Sequence, residues 1–285
     1  MISWAMVRVR YERLPTEQRL PASRHLDRLS STAILRLMHQ EDLRAVRVVG
    51  RQRRAIASAI ARLERSLNGG GRIFFVGAGT SGRLGVLEAA ECPPTFQTLP
   101  STVQAIIAGG TRAVFHSQEG AEDRRDAGAS IIRRRVRRGD AVIGITASGV
   151  TPFVDGALRA AARRGAHTIL ITCHPASPIP AHIRIPLAVG PEVLSGSTRL
   201  KAGTATKLVL NMLTLGTMVR LGKVSGNLMV DVRPSSRKLR ARALTIIRHA
   251  VRVSSREANA LLRASGGDVR AAIRMAHACR RSPSG

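Results

Sequence analysis

What most constrains the fold of this chain is a unit that recurs through its middle: a short apolar run, a loop rich in glycine or hydroxyl residues, then a helical segment. The runs are RIFFV (72–76), TVQAIIA (102–108), DAVIGIT (140–146), HTILIT (167–172) and RIPLAV (184–189). Short runs of this kind, bounded by turn signals, read as strands buried on both faces. Helical segments lie between most of them, notably after Gly82, over about 119–136 and over 152–164. The alternation predicts an α/β fold, a doubly wound parallel sheet flanked by helices, with ligands at the carboxyl ends of the strands.

The flanks read differently. Residues 1–30 are polar without clear periodicity, Ser31 and Thr32 offer caps to a helical run, and a second helix over about 41–67 stops at Gly69-Gly70-Gly71. After the last strand a segment over about 199–221 is apolar on most sides, the pattern of a helix buried in a core or against a partner subunit. A break over 232–236 that includes Pro234 precedes three short helices near 237–249, 254–264 and 268–280. The expected division is 1–232, the sheet domain with an N-terminal helical extension, and 233–285, a small helical domain.

Composition excludes several classes of protein. No stretch approaches about eighteen uninterrupted apolar residues, and the opening MISWAMVRVRYERLP carries charges where an export signal needs an apolar core, so a cytoplasmic location is expected. Cys92, Cys173 and Cys279 are odd in number and lack metal-ligand spacing, which points to neither a disulfide framework nor a zinc site. The net charge of +28 raises nucleic-acid binding. Against it, the arginines are dispersed from Arg8 to Arg281, aromatic residues are 2% of the chain, and only four of the 46 cations are lysines. That imbalance reads as a compositional preference for arginine on a solvated surface, so neither nucleic acid nor membrane is expected as a partner.

Two loops carry the chemistry. Gly77-Ala-Gly-Thr-Ser-Gly82 follows a strand and opens a helix, the setting in which backbone amides and the helix N-terminus receive an anion. It also matches the dinucleotide fingerprint, but Ala108-Gly-Gly-Thr-Arg112 at the end of the next strand lacks the acid that would hold a ribose. A second loop, Ala147-Ser-Gly-Val-Thr-Pro152, has the same setting. Together they suit a phosphomonoester, with Gly79, Thr80, Ser81, Ser148 and Thr151 as its donors. Taken singly, the same residues also read as ordinary helix caps.

Carboxylates are scarce, with 18 acids in the chain, and four of them form pairs: Glu88 with Glu91, and Glu119 with Glu122. Spacing of three places each pair on one helical face. One member of each pair turned into the crevice provides an acid and a base on opposite sides of a substrate; pairing with the abundant arginines is the alternative reading.

The segments GAGTSGRLGVLEAAECPPTF (77–96), IAGG (107–110), EGAED (119–123), IGITASGVTPFV (143–154), GPEVLSGSTRLKAGTATKLVLNML (190–213) and GKVSGNLMVDV (222–232) resemble the N-acetylmuramic acid 6-phosphate etherase family. The likeness begins near residue 13, runs to the end of the chain and implies a SIS-type sheet domain with a small C-terminal three-helix, ubiquitin-associated-like (UBA-like) domain. It implies a lyase that cleaves the D-lactyl ether of N-acetylmuramic acid 6-phosphate, giving N-acetylglucosamine 6-phosphate and D-lactate in cell-wall amino-sugar catabolism. Carried over by motif, Glu91 of ECPP matches the proton donor and Glu122 of EGAED the base, and no metal or organic cofactor is required. In the segment 197–207, Lys201 is a candidate contact to a substrate anion, Lys207 a helix-surface residue, and the apolar continuation the expected homodimer contact.

The sequence departs from the family at Val150, where arginine is usual, and at Phe153 for tyrosine, Glu88 for aspartate and Thr206 for glutamine. The missing arginine leaves a second reading open, a non-catalytic sugar-phosphate-binding regulator, since glucokinase regulatory proteins share the fold. Glu91 also lies ten residues beyond Ser81, about 15 Å along a straight helix. The donor assignment therefore needs an early break before Pro93, an extended substrate, or a site on a neighbouring subunit.

Overall fold

A computed structural model describes residues 10–232, 234 and 236–281. Residues 1–9, on which part of the expectation about export rests, and the side chain of Cys279 lie outside the described residues. The described residues group into two compact units, one of residues 10–89 with 101–214 and one of residues 90–100 with those from 215 onward.

The first unit holds a five-stranded parallel sheet of β1 (Ile73–Gly77), β2 (Val103–Ile107), β3 (Ala141–Thr146), β4 (His167–Thr172) and β5 (Ile183–Pro186), in the order β2-β1-β3-β4-β5. Every residue of β1 and β3 is buried, which is why their sequences read as unbroken apolar runs rather than alternating ones. The edge strand β5 is shorter than its apolar run and ends at Pro186, whose missing N–H is tolerated at an edge. The chain leaves β1 toward β2 on one side and returns to β3 on the other, with Gly77 of β1 beside Ile145 of β3. This reversal opens a crevice beyond the carboxyl ends of the two strands.

Helices α1 (Ser31–Arg51), α2 (Arg53–Asn68), α3 (Gly79–Phe96), α4 (Arg112–Phe115), α5 (Arg125–Arg135), α6 (Pro152–Arg163) and α7 (Lys201–Arg220) accompany the sheet. One core cluster joins Phe74, Val76, Val142 and Leu170 of the strands to Ile132 of α5 and to Val154 and Leu158 of α6. Each such side chain contributes about 1.5–3 kcal/mol by leaving water. Two glycines set how closely α5 and α6 approach. A Cβ on Gly128 would overlap the carbonyl oxygen of Phe153, and one on Gly156 that of Arg125. This packing fixes the start of α5 and the turn leading into it, which carries Glu119 and Glu122.

Two expectations change. The first helix does not end near residue 41: Ser30 caps it through Ala33 N–H (3.3 Å) and it runs to Arg51, breaking at Gln52. No helix starts at residue 119 either. Gly120 adopts φ +71°, Ala121–Asp123 form a single 3-10 turn, and α5 begins only at Arg125. Glu119 and Glu122 are therefore turn residues and do not share a helical face.

In the second unit, α8 (Arg237–Val251), α9 (Ser255–Ala264) and α10 (Val269–Arg281) fall where three short helices were expected. Ser236 caps α8 through Leu239 N–H, and Ser254 with Glu257 forms a capping box on α9. Their core includes Ile246, Ile247, Val251, Leu262 and Val269, with Val230 and Val232 packed in. Asp231 receives Arg270 (2.6 Å) and Lys223 (3.2 Å), tying the preceding loop to α10.

Candidate functional site

The crevice between β1 and β3 is a cleft of about 260 Å³. Its floor is the loop 77–82. A Cβ on Gly77 would strike the amide of Gly82 at 2.7 Å, and one on Gly82 would meet the Gly77 carbonyl oxygen at 2.8 Å, so only glycine lets this loop close. Gly79, at φ +52°, starts α3 and brings Thr80 and Ser81 with its first-turn amides to the cleft. Those amides and the positive end of the helix favour an anion.

The second loop enters from the other side. Thr146, at the end of β3, is its hub: its hydroxyl lies 2.8 Å from that of Thr151 and 3.3 Å from that of Ser148, and accepts from Gly149 N–H at 3.1 Å. Thr151 occupies the N-cap position of α6 but makes no side-chain cap, so its hydroxyl serves the loop. The amino ends of α3 and α6 thus meet at one cleft, lined by Gly79, Thr80, Ser81, Ser148, Thr151 and Glu122. Five of the six expected anion-binding residues stand together with the expected base.

Glu122 projects from the 3-10 turn at the edge of this cleft. Its carboxyl pKa is raised above 4.5, first because the surrounding walls strip water from it and then because Asp123 and Glu119 repel its charge. It remains open to solvent on one side and also borders a smaller annex of about 110 Å³ that shares Ala78 and Gly79 with the cleft.

One expected residue is placed elsewhere. Lys201, at the start of α7, is 1% exposed; its ammonium is ion-paired with Glu41 of α1 and does not line the cleft. Glu192, also 1% exposed, accepts from the backbone N–H groups of Lys201 (3.1 Å) and Ala202 (2.9 Å) and caps α7. Lys201 thus neutralises carboxylates of its own chain and is not among the cleft's lining residues, where a contact to a substrate anion was expected. Glu91 is exposed, and α3 runs without an early break through Pro93 and Pro94 to Phe96. Its partner in sequence, Glu88, is buried and bound to Lys207 (2.5 Å) and the Thr214 hydroxyl. The two acids do not share an environment.

Other lining residues escaped the sequence reading. Tyr11, Leu14 and Glu17 of the N-terminal segment and Thr198 border the cleft. Arg83 borders the annex, and among the described residues it is the one cation lining either space. Its position one residue past Gly82, the third glycine of the first loop, and on the same helix as Ser81, is the signal that would have found it. Among the described residues no group of three His, Cys, Asp or Glu side chains is placed to hold a metal ion. No described helix is long and apolar enough to cross a membrane.

Comparison with known proteins adds the family to this geometry. The glucokinase regulatory protein N-terminal SIS domain matches residues 55–162, and the SIS domain matches residues 119–216. A protein of Gloeobacter violaceus named N-acetylmuramic acid 6-phosphate etherase is 54% identical over 273 residues, covering 93% of this chain and 89% of its own. One of the same name from Rippkaea orientalis is 51% identical over 265 residues, covering 92% and 87%. The chain belongs to the N-acetylmuramic acid 6-phosphate etherase family. In fold, this SIS-type etherase chain is similar to a phosphoheptose isomerase from Neisseria gonorrhoeae, at 18% identity and a TM-score of 0.50 over 68% of this chain and 100% of that one. An equivalent likeness links it to the phosphoheptose isomerase of Francisella tularensis, at 16% identity and a TM-score of 0.50 over 66% and 98%. The segment EGAED (119–123) is the turn that carries Glu122, and the segment ASG (147–149) lies in the loop organised by Thr146.

Proposed function

We propose that this chain is a carbon–oxygen lyase that releases D-lactate from N-acetylmuramic acid 6-phosphate and leaves N-acetylglucosamine 6-phosphate. The observation that carries the reading is the convergence of two hydroxyl-bearing loops and two helix amino ends on a cleft edged by Glu122. The loops and amides hold the phosphate. In the open-chain sugar the aldehyde acidifies the hydrogen on carbon 2, and the ionised Glu122 takes that proton. The electron pair forms the carbon 2–carbon 3 double bond as the bond from carbon 3 to the lactyl oxygen breaks, and that oxygen takes a proton from an acid. Water then adds its hydroxyl to carbon 3 and a proton to carbon 2. Two carboxyl groups suffice for the sequence.

Glu91 is the acid implied by family resemblance, and it lies ten residues beyond Ser81 on the unbroken helix α3. A second copy supplies it in this account. Support comes from α7, which leaves Met212, Leu215 and Val219 exposed at spacings of three and four, an apolar stripe suited to an isologous partner. Mixing unfolded Glu91→Gln and Glu122→Gln proteins in equal amounts and refolding them is expected to restore about a quarter of parental turnover, since half the dimers are mixed and each holds one intact site. Recovery of none places both carboxyls in one chain's site.

The test of the function is release of D-lactate from N-acetylmuramic acid 6-phosphate, with N-acetylglucosamine 6-phosphate appearing in equal amount. The regulator reading, to which Val150 at the cleft wall lends weight, predicts sugar-phosphate binding without lactate.

A further inference from the structure

We propose that the annex beside Glu122 seats the 2-acetamido group of the sugar, with Arg83 and Glu119 as the residues that recognise it; the inference rests on the lyase reading above.

Position is the first argument. Glu122 borders both the cleft and the annex. If it takes the proton from carbon 2, the space on its other side receives the substituent of that carbon. Size is the second. The annex holds about 110 Å³ against about 260 Å³ for the cleft that takes the sugar, so it accommodates a substituent and not a second sugar.

Charge is the third argument and decides between ligand groups. The charged side chains lining the annex are Arg83, Glu119 and Glu122, one cation against two carboxyls. This balance disfavours a phosphate or a carboxylate and suits a neutral group that both accepts and donates. An amide does both. Arg83 is fixed at the wall by donation of its Nε to the Val114 carbonyl (2.9 Å), and a guanidinium retains further N–H donors for an acetyl carbonyl. Glu119 is held by the Ser117 hydroxyl at 2.7 Å, and a carboxylate so placed accepts from an amide N–H. Ser117 and Gln118 complete the polar part of the wall, and the rest is made of small residues. Ala78, Ala108, Ala113 and Ala121 leave room for a methyl group and little more.

The experiment uses the full chain and sugars that differ only at carbon 2. Titration calorimetry compares N-acetylglucosamine 6-phosphate with glucose 6-phosphate, and turnover compares 3-O-lactyl substrates bearing acetamido, propionamido or hydroxyl groups. The parent protein is expected to prefer acetamido over hydroxyl in both assays. Ala121→Val is expected to lower kcat/KM for the acetamido substrate at least about tenfold relative to the hydroxyl one, the scale of one methylene in a filled pocket. Ala121→Gly is expected to raise the propionamido-to-acetamido ratio, and Arg83→Gln to erode the preference for acetamido. Equal binding of the two sugar phosphates by the parent overturns the proposal, as does a set of variants that slows all substrates by one common factor. A protein that releases no lactate from any substrate but keeps the binding preference overturns the lyase reading and leaves the annex assignment standing.

Discussion

Glu122→Gln is expected to fold as the parent does, to keep its affinity for N-acetylglucosamine 6-phosphate, and to lose about 10²–10⁴ in kcat, the range that a positioned proton-transfer group supplies. The amide cannot take the proton from carbon 2. The replacement lies in a solvent-edged turn whose carboxyl has no partner essential to the core, so thermal stability is expected to stay within about 0.5 kcal/mol. The pH profile carries the same claim. A base must be ionised, so kcat/KM falls on the acid side as Glu122 is protonated, and burial together with Asp123 and Glu119 places that limb above an ordinary glutamate. Asp123→Asn removes one of the repelling charges and is expected to move the limb to lower pH. Stopped-assay rates of lactate release across pH, for the parent and both variants, check both statements. Retention of parental kcat in the Gln variant removes Glu122 as the base.

Lys201→Met is expected to be the most damaging replacement for stability, by about 3–5 kcal/mol, the cost of leaving a buried charge without its partner. Glu192 already has a raised carboxyl pKa, chiefly because burial disfavours its charge, and the Ala202 and Lys201 amides and the Lys201 ammonium work against that rise. Removing the ammonium raises it further and strands Glu41 as well. The sign follows: a carboxyl whose folded pKa lies above its unfolded value costs stability as pH climbs from about 4.5 through the folded pKa, because the unfolded chain ionises first. The deficit of the variant relative to the parent is therefore expected to be larger at pH about 7.5 than at pH about 5. Urea midpoints at both values check this. Unchanged stability with a raised KM would return Lys201 to the substrate.

The sheet was legible because its strands are buried on both faces. IFFVG and AVIGIT are unbroken apolar runs for that reason, and the loops at their ends carry the glycines and hydroxyls that a phosphate needs. The turn before α5 was not legible. EGAED has helical spacing, but Gly120 at positive φ reverses the chain there, and a single glycine does not announce its dihedral angle. The pairing of Lys201 was hidden because the carboxylates that surround it, Glu41 and Glu192, come from a distant helix and a loop whose meeting only the fold creates. The same limit applies to Tyr11, Leu14 and Glu17, which border the cleft from a segment without periodicity. The break between α1 and α2 at Gln52 carries neither glycine nor proline at the break itself, so nothing local placed it.

The central claim is that a carboxylate at the edge of the cleft detaches the hydrogen of carbon 2 before the ether is broken and water adds. Running the reaction on N-acetylmuramic acid 6-phosphate in deuterium oxide and reading the sugar product by NMR tests it most directly. The account predicts N-acetylglucosamine 6-phosphate with deuterium on carbon 2, formed at a rate that collapses in Glu122→Gln. Product formed at full rate with its original hydrogen on carbon 2 would contradict it.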